Sequence, residues 1–180
     1  MVVAESVTTS EGLQIPIGWE LEGNESITPV SLPTPTPYGF GGEAVDSFTY
    51  DIGPRFFVGN VFDSDGGTYS VAWRETLQGE YEIIPLPTLD VGGQEGEGGV
   101  VTGPVNDTGQ SLAVVGRAQT PQSQWHTVVW TIDGSDVTIT DLGETFPANI
   151  GNSTANGIVT KVLTVEGVIV GGAVKNVRNE

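Results

Sequence analysis

The sequence predicts an all-β protein, a β-propeller segment of about three four-stranded blades. Two observations predict it. The first is an internal repeat. Gly59, Gly116 and Gly171 each follow a hydrophobic run, at intervals of 57 and 55 residues. Trp19, Trp73 and Trp130 recur at 54 and 57, and Leu32, Leu86 and Leu142 at 54 and 56. Three series sharing a period of about 55 residues mark one supersecondary unit used repeatedly. The second is the content of each period: four short β-branched runs divided by Gly, Asp and Asn, with 26 Gly and 11 Pro in the chain arguing against long helices.

Taken in order, the strands of a unit are labelled a to d. The first full unit has "AVDSFTY" (44–50), "RFFVGNV" (55–61), "YSVAWRE" (69–75) and "YEIIPLP" (81–87). The second has "VVTGPVN" (100–106), "LAVVGRA" (112–118), "HTVVWTI" (126–132) and "DVTITDL" (136–142). Short a–b and c–d links containing "DIGP", "DTGQ", "LQGE" and "DGS" suit hairpins, because Gly, Asp and Asn accept positive φ. Links from d to the next a are long and rich in Gly and Pro, as in "PTPTPYGFGG", an extended stretch suited to a crossover or a docking surface. A four-stranded antiparallel unit followed by a longer crossover describes a propeller blade.

Ahead of the first full unit stand only c and d, "IPIGWEL" (15–21) and "SITPVSL" (26–32). After the second stand only a and b, "GIVTKVL" (157–163) and "GVIVGGA" (167–173). The expected order is cd, abcd, abcd, ab, with an N-terminal arm at 1–12, blades over 13–173 and a tail at 174–180. Three wedges leave roughly half of a ring open, and an open arc exposes strand edges and apolar faces. Closure into six blades by a homodimer through strand addition, or by a heteromeric partner chain, is therefore expected, with an intramolecular or irregular closure as the remaining alternative. The residues expected at that interface are Ile15, Ile17, Trp19, Ile27 and Val30 at one end, and Ile158, Val162, Val168, Val170 and Gly171 at the other.

The middle copy resembles a known family. "VNDTGQSLAVVG", "HTVVW" (126–130) and "TDLG" (140–143) are similar to the successive elements of the HAF repeat of predicted extracellular proteins. The first unit keeps less of it, in "FVG", "YSVAW" and "PLP". The resemblance covers most of residues 13–173. It implies a propeller-like architecture and an extracellular setting, and no particular chemistry.

Charge narrows the function classes. Net charge is −17, from 23 acidic and 6 basic residues, and only Lys161 and Lys175 are lysines. Such a chain repels phosphate backbones and anionic lipid surfaces, so neither nucleic-acid binding nor membrane insertion is expected. An acidic, lysine-poor surface suits high salt. Cysteine is absent, which excludes disulfides and thiolate metal sites. "MVVAESVTTSEG" lacks a basic n-region and an apolar run, so no signal peptide is expected, and no run approaches the ~18 apolar residues of a membrane-spanning helix.

Candidate chemistry is sparse. His126 is the single histidine and sits in the repeat signature, with Tyr69 and a position near Ile15 as counterparts, so it is expected to be structural. No nucleophile elbow accompanies it. "FDSDGGTY" (62–69) resembles the opening of a calcium loop through Asp63, Asp65 and Gly67, but Arg74 stands where the twelfth-position Glu belongs. A surface turn is expected there, and likewise around Asp133, Asp136 and Asp141. Among 23 acids, carboxylate pairs suited to glycoside hydrolysis are inevitable and single out none. Trp19, Trp73 and Trp130 are expected between blades. Trp125, outside the series, is the candidate ligand contact. Sequons at Asn24, Asn106 and Asn152 fall in expected turns and would matter only where glycosylation occurs.

These readings converge on a non-enzymatic surface module with no catalytic residue, metal or cofactor. Its expected role is a spike or decoration subunit of a halophilic archaeal virus, held by other virion or surface-layer proteins and available for host attachment through a cell-surface glycan or receptor. The competing class is an extracellular lectin or glycan-active enzyme using the channel or loop face.

Overall fold

A computed structural model describes residues 2–22, 26–34, 40–49, 54–89, 96–104, 111–121, 125–142, 162–164 and 167–169. The fold is all-β. The first sheet comprises β1 (Val2–Thr8), β2 (Gln14–Glu22) and β3 (Ser26–Ser31). The second comprises β4 (Gly42–Thr49), β5 (Arg55–Phe62), β6 (Thr68–Glu75) and β7 (Tyr81–Pro85). The third comprises β8 (Gly96–Pro104), β9 (Ser111–Gln119), β10 (Trp125–Asp133) and β11 (Asp136–Asp141). β12 (Val162–Thr164) and β13 (Gly167–Ile169) pair as a hairpin. Every pairing is antiparallel, sequential strands are neighbours, and among the described strands no ladder joins one sheet to another.

One expectation is corrected. The first sheet has three strands, because residues 2–8 of the expected arm pair with β2 from Val2↔Glu20 to Thr8↔Gln14. The start is therefore bcd rather than cd. The link is a tight hairpin, in which Thr9 N–H donates to the Leu13 carbonyl at 2.8 Å and Gly12 adopts φ 83°. Asp63–Gly67 and Thr76–Glu80 close in the same way, with Gly66 and Gly79 at positive φ. Only Gly takes that conformation without a Cβ penalty.

Strand alternation sorts the core into two layers. On β5, Phe57 and Val61 face the first sheet, together with Val71, Trp73 and Tyr81 of β6 and β7. They meet Leu32, Ala4 and Val30. Phe56, Val58, Ala72, Ile84 and Leu86 face the third sheet and meet Leu112, Val114, Val128, Trp130 and Ile132. The middle strands β5 and β6 are consequently apolar on both faces, as strands buried on both sides must be.

The repeat is visible in hydrogen bonds as well as packing. Trp73 Nε1–H donates to the Pro33 carbonyl just past β3 at 2.8 Å, and Trp130 Nε1–H donates to the Pro87 carbonyl just past β7 at 2.7 Å. Both indoles are fully buried. Each sheet is thus clasped to the one before it, and burial of the polar indole edge is matched by an acceptor. Leu86 N–H to Ser70 O at 3.0 Å and Leu142 N–H to Thr127 O at 2.9 Å end the outer strands identically.

Gly59 and Gly116 mark a second repeated device. A β-bulge lies beside each, between Ala44 and Asp46 and between Gly98 and Val100. A Cβ on Gly59 would overlap the Glu43 carbonyl of the bulged strand. Gly18 is required for a different reason, since the Phe57 ring lies against its Cα.

Candidate docking face

The first sheet turns Ala4, Gly18 and Val30 toward the second sheet, and strand alternation sends Val3, Val7, Ile15, Ile17, Trp19 and Ile27 to the opposite face. That outward face is mostly apolar, with the Glu5 carboxylate among its side chains, and it is open, with Val3 at 43%, Val7 at 39% and Ile27 at 63% exposure. By register it repeats the faces buried in the two intersheet layers. Val3↔Trp19 corresponds to Phe57↔Trp73, and Trp19↔Pro29 to Trp73↔Ile83. Trp19 Nε1–H, whose counterparts donate to a proline carbonyl of a preceding sheet, here donates to Glu5 Oε2 at 2.6 Å.

Of the residues expected at the interface, the structure brings Ile15, Ile17, Trp19 and Ile27 together on this face. Val30 is corrected: it shares the face of Gly18 and packs into the core against the second sheet, because Trp19 pairs with Pro29 and the next residue must point the other way. Val162 and Val168 pair within the β12–β13 hairpin, as Val162↔Ile169 and Leu163↔Val168. Ile158, Val170, Gly171 and the tail 174–180 lie outside the described residues, as do Asn24, Asn106 and Asn152.

The reverse face of the third sheet completes the series. Ala113 and Val115 on β9 are buried, while Val129 and Leu142 are half-buried and Thr140 is exposed. Their counterparts in the second sheet, including Ala72, Ile84 and Leu86, are all buried. Among the described side chains of this face, those on β10 and β11 are the more accessible.

Polar groups serve the scaffold. Arg55 donates from Nε to Glu75 Oε2 at 2.8 Å and pairs with Glu20 Oε2 of the first sheet at 2.6 Å, while Tyr81 O–H donates to Glu20 Oε1 at 3.1 Å. Hydrogen bonding to Glu75 raises the Arg55 pKa, the Glu75 carboxyl is held below the usual range by Arg55, and burial pushes the Tyr81 phenol up. This network pins two sheets of an acidic chain through one guanidinium. Replacing Arg55 by Met is expected to cost about 2 kcal/mol in urea unfolding, between the values for exposed and buried pairs. The sign with pH follows from Glu75: its contribution is present above the unfolded carboxylate value of 4.5 and is lost as pH falls through the lower folded value. The variant should lose that part of the acid-side decline.

Asp63 is committed to its own turn. Oδ1 accepts from Asp65 N–H at 2.9 Å and Gly67 N–H at 2.8 Å, and Oδ2 accepts from Tyr69 O–H at 2.8 Å, which holds its pKa down. A hairpin turn stabilised by a carboxylate fits these contacts. His126 Nδ1 lies 2.8 Å from Asp141 Oδ2, joining β10 to β11. Through the ladder, His126 takes the place of Tyr69 and Ile15 in the other sheets. Trp125 is half-buried under the Arg117 guanidinium, 4.6 Å from the ring centroid, so its face already has a cation–π partner. Arg74 binds Glu82 at 2.7 Å and the Gly134 carbonyl at 2.6 Å, tying the second sheet to the β10–β11 turn.

Sequence reasoning missed the two proline carbonyls and the role of Arg55, which connect residues 40, 43 and 35 positions apart. It also missed Val3 and Val7, although "TSEG" (9–12) repeats "DSDG" (63–66) at the 54-residue period and signals the β1–β2 hairpin. No family model, curated protein or solved structure matches the chain.

Proposed function

We propose that this chain is a non-enzymatic segment of a β-propeller similar to HAF-repeat proteins, completed by sheets of another subunit and serving as a surface structural and recognition module. The observation that carries this is the open outward face of the first sheet. Its residue pattern repeats two faces that are buried against neighbouring sheets within the same chain, and an apolar face of that kind calls for a partner. Face-to-face sheets, each joined by a crossover to the next and clasped by a tryptophan, support the blade reading.

The setting follows from charge. A chain at −17 with two lysines is suited to molar salt, where self-repulsion is screened over a few ångströms. With the family resemblance pointing outside the cell, a spike or decoration subunit of a halophilic archaeal virus is the role proposed.

Light scattering in 2–3 M KCl, about the salt at which the Debye length falls below 3 Å, tests the assembly. A mass of at least two 18.8 kDa chains is expected, and a monomer at every concentration would overturn completion by another subunit. A glycan array with a hydrolase panel at the same salt tests the rest. Turnover abolished by one carboxylate substitution would remove the non-enzymatic reading.

A further inference from the structure

Resting on that reading, we infer that the missing neighbour of the first sheet is the third sheet of a second copy of this chain, which meets it head to tail. Both halves of the contact are present on one chain. The outward face of β1–β3 presents Val3, Trp19 and Ile27 at the ladder positions of Phe57, Trp73 and Tyr81, which bury against the sheet before them. The reverse face of β8–β11 presents Val129 and Leu142 at the positions of Ala72 and Leu86, which bury against the sheet after them. The two internal layers therefore specify the occupant of each open face. The first sheet takes a face ending in a leucine at the close of its outer strand, and the third sheet takes a face bearing a central tryptophan.

The accessible parts match. Ala113 and Val115 on β9 are already buried, whereas Val129, Thr140 and Leu142 on the β10–β11 side retain exposure. In the internal layer, Leu86, just past β7, places its N–H on Ser70 O, and the carbonyl that follows receives the next indole. β11 ends with the same bond from Leu142 to Thr127 O. Trp19 accordingly turns its N–H from Glu5 to a main-chain carbonyl at the end of the partner's β11. Glu5 is the acceptor in the isolated chain, at 2.6 Å. A contact between unlike faces generates a ring or a filament, depending on the rotation it imposes. Two copies related by a two-fold axis make the contact twice.

Geometry also selects the test. The Phe57 ring lies on Gly18 across the first internal layer. By register, Val3 of one copy then lies over Val129 of the next. The chain has no cysteine, so Val3→Cys and Val129→Cys are prepared as separate single variants, mixed in molar KCl and treated with a short bismaleimide. A linked pair is expected in the mixture and in neither variant alone. Ile27→Lys, at an exposed position, is expected to weaken association at least about tenfold by light scattering. Linking of Val3→Cys to itself would mean that like faces meet and would overturn the inference. An oligomer that neither links in the mixture nor responds to Ile27→Lys would overturn this contact while leaving completion by another surface standing. Monomers throughout would overturn both.

Discussion

Trp73→Ala is expected to lower unfolding free energy by about 4 kcal/mol, the cost typical of removing a buried Trp or Phe from a core. The indole is fully buried among Leu32, Phe57, Val61 and Val71, and its loss opens a cavity between two sheets rather than within one. Rigid ladders on either side limit collapse into that space. Trp73→Phe separates packing from the hydrogen bond. It keeps most of the ring volume and frees the Pro33 carbonyl, and because Pro33 is exposed, water can take the place of the indole N–H. A cost of about 1 kcal/mol is expected for Phe. Urea unfolding followed by circular dichroism at fixed molar salt measures both variants. Equal losses would mean that the clasp, and not the packing, holds the sheets together.

Gly59→Val is expected to cost about 3 kcal/mol or more. The added Cβ would strike the Glu43 carbonyl, a main-chain atom that no side-chain rotation can move aside. Relief requires β4 to separate from β5 at the bulge. The first sheet supplies the control. Glu5 occupies the equivalent ladder position on β1, which pairs only with β2 among the described residues, so Glu5→Val should stay within about 0.5 kcal/mol. A similar loss at both positions in the same unfolding experiment would refute the role assigned to the bulge.

The same contrast explains what could be read in advance and what could not. Gly59, Trp73 and Leu86 revealed the repeat because each answers a constraint that recurs: a bulged neighbour, an indole pocket, a strand end. β1 escaped notice because Glu5 stands where the other units carry the repeated glycine. With its glycine marker gone, "VVAESVT" looked like an arm. The third sheet's first strand begins earlier than expected, at Gly96, because main-chain pairing with β9 needs no β-branched side chains there. On the docking face, Ile15, Ile17, Trp19 and Ile27 followed from alternation, whereas Val30 required the register across β2 and β3 to place it. The proline acceptors depend on contacts across 40 and 43 residues, and local pattern carries no trace of them.

The direction of the tryptophan clasp has a consequence for biosynthesis. In both internal layers the acceptor precedes the donor in the chain, Pro33 before Trp73 and Pro87 before Trp130. As the polypeptide leaves the ribosome, each carbonyl is already outside when the indole that needs it emerges. Every new sheet can therefore close onto a finished surface behind it, in the order of translation and without waiting for later sequence.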